Sequence, residues 1–133
     1  MKKSKRQVAR EKAVIGVYQY LFGNTIEDIY EYLHSIGVLE QNPDSMEFSK
    51  WLVNTTIDNY DSYKQLIEKY LKKGWTIDRI SKIELAILLV ATCEILESEL
   101  DIEIVINEAV INAKLFCDED SYKFINGVLH KIV

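Results

Sequence analysis

Apolar side chains recur at three- and four-residue intervals along almost the whole chain, and no segment shows sustained alternation of apolar and polar residues. That spacing lines one face of a 3.6-residue helix, whereas a half-buried strand needs a period of two. The chain is therefore expected to be all-α. A first helix reads from 4 to 22, with Val14, Val17, Tyr18, Leu21 and Phe22 on its apolar side and Gly23 and Asn24 as its stop. A second follows Thr25 and ends near Gly37. Asp44 with Glu47 three residues on reads as a capping box opening a third helix through Trp51, Leu52 and Ile57. Tyr63, Leu66, Ile67, Tyr70 and Leu71 mark a fourth that Gly74 closes, and three more are expected at about 78–97, 103–116 and 119–133.

At 133 residues and 48% hydrophobic content, the chain suffices for one domain with a core and is too short for an enzyme domain plus a separate recognition domain. The longest uncharged apolar run, Leu85 to Cys93, falls far below the roughly 20 residues that cross a bilayer. The first residues are basic but carry no apolar stretch of signal-peptide length, so a cytoplasmic location is expected. Cys93 and Cys117 lack the clustered partners of a zinc site and read as buried reduced thiols, and no metal or other cofactor is expected.

Charge is unevenly placed. Net charge is −5, yet residues 1–12 hold Lys2, Lys3, Lys5, Arg6, Arg10 and Lys12 against Glu11 alone; that segment is +5 and the remainder −10. A polyanion would be drawn to the amino terminus and repelled elsewhere, while the acidic body suits a basic protein. On a helical projection Lys2, Lys3, Arg6 and Arg10 share an arc that continues into Ala13, Val17 and Leu21. Packing that arc throughout would bury cations, so the first two turns are expected to project from the body or to fold on meeting a ligand. A frayed, solvated terminus is the plain alternative.

The helix at 78–97 is apolar on every side and should be central. Its Glu84 stands among Ile80, Ile87, Leu88 and Ala91, and is either paired inside the fold or set at the edge of an apolar patch. The last helix has an apolar stripe of Phe124, Ile125, Val128, Leu129 and Ile132, with Lys123, Asn126, Gly127 and His130 opposite. Tyr122 or Phe124 could offer a ring to an unpaired base; core packing is the competing role for Phe124. Gly127 inside a helix costs about 1 kcal/mol relative to Ala, which close approach of a backbone or a ligand would compensate. No nucleophile with a base, metal-ligand spacing or Gly-rich phosphate loop is present, so no enzymatic activity is expected. His34 and His130 stand apart, and Glu94, Glu97, Glu99, Asp101 and Glu103 read as a solvated acidic face. Asn107 and Glu108 are expected to tie helices together.

These residues carry a resemblance. Arg6, Ala9, Arg10, Ala13, Val14 and Tyr18 at the start, Trp75, Arg79, Ile83, Glu84, Ala86, Ile87, Leu88 and Glu94 in the middle, then INEAV at 106–110 and KFINGVL at 123–129, look like NusB. The likeness covers essentially the whole chain in one order. It implies a seven-helix protein of two small bundles, about 1–60 and 61–133, acting in transcription antitermination. It further implies loading on boxA-like single-stranded RNA of ribosomal RNA leaders jointly with the ribosomal protein NusE, within an RNA polymerase antitermination complex. By the same resemblance the RNA-binding residues are Lys2, Lys3, Lys5, Arg6, Gln7 and Arg10 with Asp120, Tyr122, Lys123 and Phe124, and the protein-partner residues are Tyr18, Asp78 and Glu84. There are departures: Leu85 and Leu89 stand where relatives carry cations, and Asp101 and Glu103 where they carry a proline and a basic residue. Less positive charge implies weaker RNA binding by the isolated protein, and exposed Leu85 and Leu89 would offer contacts for self-association as a homodimer. A similar module precedes the catalytic domain of some ribosomal-RNA cytosine methyltransferases, so a stand-alone relative of that module, or a bare helical protein-interaction scaffold, are the alternatives.

Overall fold

The computed structural model describes residues 2–133. Its order is α1 (Lys5–Leu21), α2 (Ile26–His34), α3 (Gly37–Glu40), α4 (Pro43–Asp58), α5 (Tyr60–Lys69), a 3₁₀ turn (Ile77–Arg79), α6 (Lys82–Glu97), α7 (Ile102–Phe116) and α8 (Ser121–Ile132). The described residues contain no strand, and the all-α expectation holds. None of the described helices is long and apolar enough to cross a membrane.

The helix ends follow local chemistry. Ser4 caps α1, its hydroxyl accepting from Gln7 N while the Gln7 side chain accepts from Ser4 N. Gly23 ends the same helix at φ 91°, and Gly74 turns the chain after α5 at φ 88°. The α4 start differs from the reading above. Asn42 is its cap and Pro43 its first residue, so Asp44 and Glu47 fall inside the helix; the fixed φ of proline set the boundary. The span expected to run from Asp78 splits into the 3₁₀ turn and α6, because Ser81 and Glu84 form a capping box there.

Every residue of α6 from Leu85 to Glu94 is buried, with α1, α4, α5, α7 and α8 packed around it. At about 25 cal/mol per Å2 each of its fully buried leucines contributes roughly 2 kcal/mol. Leu85 and Leu89 are 5% and 0% exposed. They are core residues and cannot serve as surface contacts for self-association; a helix apolar all round is covered all round. Gly16 lets α1 lie close to α2 and α4, since a Cβ there would come within 2.9 Å of Ile29 Cγ2 and 3.2 Å of Val53 Cγ2. Ser49 Oγ donates to the Ala9 carbonyl at 2.9 Å, adding a buried tie between α1 and α4.

The strongest polar tie in the interior is ionic. Arg10 Nε and Nη2 donate to the two carboxylate oxygens of Glu94 at 2.6 and 3.0 Å, and Arg10 Nη1 lies 3.7 Å from Glu108. Side-chain exposure is 6% for Arg10 and 1% for Glu94, so solvent screens the pair little. Arg10→Ala should therefore cost about 3 to 5 kcal/mol in a urea unfolding curve, because it leaves Glu94 buried without a counter-charge. The double change Arg10→Met, Glu94→Met should recover about half of that loss or more, since apolar side chains of similar volume remove the desolvation penalty.

Candidate nucleic-acid interface

The basic tip is ordered. Residues from Lys5 onward are helical, and Gln7 Nε2 donates to both carboxylate oxygens of Glu108 on α7, at 3.2 and 3.3 Å. The expectation that the first two turns project or await a ligand is corrected: the Ser4 cap and the Glu108 contact hold them to the body. Glu108 thus ties helices as expected, whereas its neighbour Asn107 is exposed. Arg10 is also corrected. It is buried on Glu94, itself no member of a solvated acidic face, and it cannot present its guanidinium to RNA. Projection of a single helix could not show this, since the carboxylate lies 84 residues away in sequence.

Of the remaining cations at the tip, Lys3 donates to Glu11, which also pairs with Lys12 at 2.9 Å. Burial opposes ionisation of Glu11, but the hydrogen bonds from Lys3 and Lys12 outweigh it and hold its carboxyl below the usual range. Lys2, Lys5 and Arg6 are exposed and have no carboxylate partner among the described residues. The Arg6 guanidinium carbon sits 4.0 Å over the Phe48 ring.

The second group of candidates opens α8. Asp120, Lys123 and Phe124 line a groove of about 620 Å3 between α8, the start of α6 and the segment after α5. Phe124 is half-buried, its ring centroid 6.4 Å from that of Trp75 at an interplanar angle of 35°. Trp75 is 48% exposed. Cations from three elements, Lys72, Arg79, Lys123 and Lys131, face the same space, opposed by Glu84 and Asp120. Gly127 lies on its wall, and a Cβ there would meet nothing within 4 Å. Packing within this chain therefore does not explain a glycine in mid-helix. Tyr122 faces elsewhere, lining a smaller hollow with Lys114, whose Nζ is 4.7 Å from the centre of its ring.

Trp75, Lys72, Arg79 and Lys131 escaped the sequence reading as site residues. Trp75 follows a turn glycine outside any periodic segment, and a tryptophan in a polar loop was the available signal.

The tip and the groove lie at opposite ends of α6. Arg10 meets Glu94 near its end, while Lys82 Nζ at its start is 5.4 Å from the Phe22 ring, so α1 runs antiparallel to α6. Glu84 and Glu94 are about 15 Å apart at 1.5 Å per residue, and Arg6 is one further turn out, roughly 20 Å from the groove in all.

Among the partner candidates, Tyr18 is half-buried in edge-to-face contact with exposed Phe22, centroids 4.9 Å apart, and Asp78 is exposed on the 3₁₀ turn. Glu84 accepts from Ser81 N at 3.0 Å and from Ser81 Oγ at 2.8 Å, so it is engaged within the fold while half-exposed on the groove. Lys82 and Glu84 are two residues apart and project from nearly opposite sides of the first turn. Tyr18 and Glu84 therefore share an end of the molecule, not a face.

The NusB family profile matches residues 7–133. The transcription antitermination protein NusB of Staphylococcus aureus strain JH9 is 40% identical over 130 residues, 94% of this chain and 98% of that protein. T. maritima NusB superimposes with a TM-score of 0.85 at 30% identity, covering 99% of this chain and 92% of that one. A crystal structure of the antitermination factors NusB and NusE in complex with dsRNA matches with a TM-score of 0.79 at 29% identity, over 96% and 95% of the two chains. Sequence across nearly the full length and the arrangement of helices agree, and the chain belongs to the NusB family of transcription antitermination proteins.

Proposed function

We propose that this chain binds boxA-like single-stranded RNA of ribosomal RNA leaders together with the ribosomal protein NusE, as a non-enzymatic part of an RNA polymerase antitermination complex. The groove carries this reading: three rings, of Tyr70, Trp75 and Phe124, stand with four cations beside a mid-helix glycine that no packing within the chain explains. Bases splayed from a single strand stack on aromatic rings at about 1 to 3 kcal/mol each, while lysines and arginines follow the phosphates. A solved relative in complex with NusE and dsRNA supports NusE and RNA as the classes of partner. Lys2, Lys5 and Arg6 add a second point of phosphate contact; Lys3 is partly neutralised by Glu11, and Arg10 acts only by fixing α1. Tyr18, Asp78 and Glu84 supply a ring and two carboxylates for the basic partner.

Salt separates the charge component. With about four phosphates neutralised, log K should fall with log salt at a slope near −3, from about −0.7 per contact. Replacing Lys2, Lys5 and Arg6 together with Ala should flatten that slope by about 2, read from the anisotropy of labelled RNA. A slope unchanged by the triple variant would remove the tip from the interface.

Gly127→Ala should stabilise the free protein by up to about 1 kcal/mol in urea and weaken RNA binding, because the added methyl stands on the groove wall. Equal affinity with the gain in stability would show that nothing approaches α8 there.

Glu84 has two roles to separate. Glu84→Gln retains a side chain that can accept from Ser81 and should leave stability within about 0.5 kcal/mol, whereas Glu84→Ala should lose about 1 kcal/mol with the cap. Both should weaken capture of NusE in a pull-down. Undiminished capture by Glu84→Gln would confine this carboxylate to capping.

A further inference from the structure

We infer that Phe48 and Trp51 of α4, with Arg6 of α1 laid over Phe48, form a second stacking station for an unpaired base of single-stranded RNA, about 20 Å from the groove. The inference rests on the reading above that RNA is the ligand of the basic tip. Phe48 and Trp51 are three residues apart and so share one side of α4; their rings stack at 6.3 Å with an interplanar angle of 22°. The Arg6 guanidinium carbon is 4.0 Å from the Phe48 centroid, and that of Arg10 is 5.5 Å from the same ring. Three planar groups thus stand in sequence, guanidinium, phenyl and indole, with Trp51 36% exposed at the outer end.

A surface tryptophan beside an arginine is ordinary when it stands alone. Two observations set this one apart. It is joined through Phe48 to Arg6, in a segment whose Lys2 and Lys5 are also exposed. It is also rigidly backed, because Arg10 is clamped by Glu94 and Glu108 beneath Phe48, and Gln7 fixes the first turn of α1 on Glu108. A preformed row of planar cation and rings fits a flat, electron-rich ligand that carries its own negative charge, which is the description of a nucleotide. Asp44, one turn before Phe48 on the same side of α4, and Glu47 are exposed and repel phosphate. They leave the α1 side, with Lys2 and Lys5, for the backbone. The sequence places Trp51 on its helix and no more; the packing of α1 on α4 shows it as part of the tip.

The chain has two tryptophans, Trp51 and Trp75, so each can be made the sole reporter in the full-length protein. Trp75→Phe keeps a ring in the groove and leaves Trp51 to report. Titrated with a labelled single-stranded RNA dodecamer at low salt, it should show saturable quenching of Trp51 in step with the anisotropy of the label. An abasic ribose-phosphate oligomer of the same length should leave Trp51 emission unchanged. In the otherwise native chain, Trp51→Leu should weaken RNA binding about 5- to 100-fold and Trp51→Phe by less than about 3-fold, with thermal unfolding of both close to native. Anisotropy that saturates while Trp51 stays silent, equal quenching by the abasic oligomer, or native affinity in Trp51→Leu would each overturn the station and leave the RNA reading standing on the groove. Absence of any binding by the labelled RNA, with Trp75 silent as well in Trp51→Phe, would instead bring down the RNA reading and this inference together.

Discussion

A single arginine in the interior organises the amino-terminal half of this molecule. Arg10 brings a charge out of water against two carboxylates, Glu94 on α6 and Glu108 on α7, and its forked geometry allows one orientation of α1. Burial of such groups adds little net stability compared with apolar packing; what it supplies is a large penalty for any arrangement that leaves one member unpaired. Helix α1 buries Ala9, Ala13 and Gly16 beside Val14 and Val17, and apolar contacts of side chains that small are less directional than a forked ion pair. The ion pair sets the register. Everything at the basic tip, from the Gln7 contact to the position of Arg6 over Phe48, depends on this register.

Helix content and the core were legible because periodicity is a property of each helix by itself. The stripe on α8, the encirclement of α6 and the stop at Gly23 follow from residues close in sequence, whereas α5 ends at Lys69, ahead of the Gly74 expected to close it. Two boundaries differ from the sequence reading because one signal outranks another in the fold: Pro43 outranks the Asp44 and Glu47 pair, and the Ser81 and Glu84 box outranks the earlier Asp78. In the second case the correct signature, serine followed three residues later by glutamate before an apolar run, was present in the chain. The same box accounts for a carboxylate that, on projection alone, stood unexplained among apolar neighbours.

The candidate site was legible in part, and the limit is physical. Exposed cations and rings at the ends of helices can be recognised as types, but which of them are spent inside the protein depends on residues distant in sequence. Arg10 and Arg6 are one turn apart on the same helix; one is consumed by Glu94 and the other lies on Phe48. Lys3 is likewise held by Glu11. The groove gathers side chains from the α5–α6 segment, α6 and α8; the stripe of the last helix points to Phe124 by itself, but not to the Trp75 ring or the Lys72 and Arg79 cations that meet it from other elements.

Buried along ten consecutive residues and gripped on all sides, α6 is the least deformable element of the molecule, and it stands between the tip and the groove. It therefore acts as a ruler. A polymer that touches both ends must have a minimum contour length set by the number of turns in α6, and shorter polymers can engage only one end at a time. Discrimination by length would then arise from the dimensions of a core helix, without any contact that recognises where a strand begins or stops.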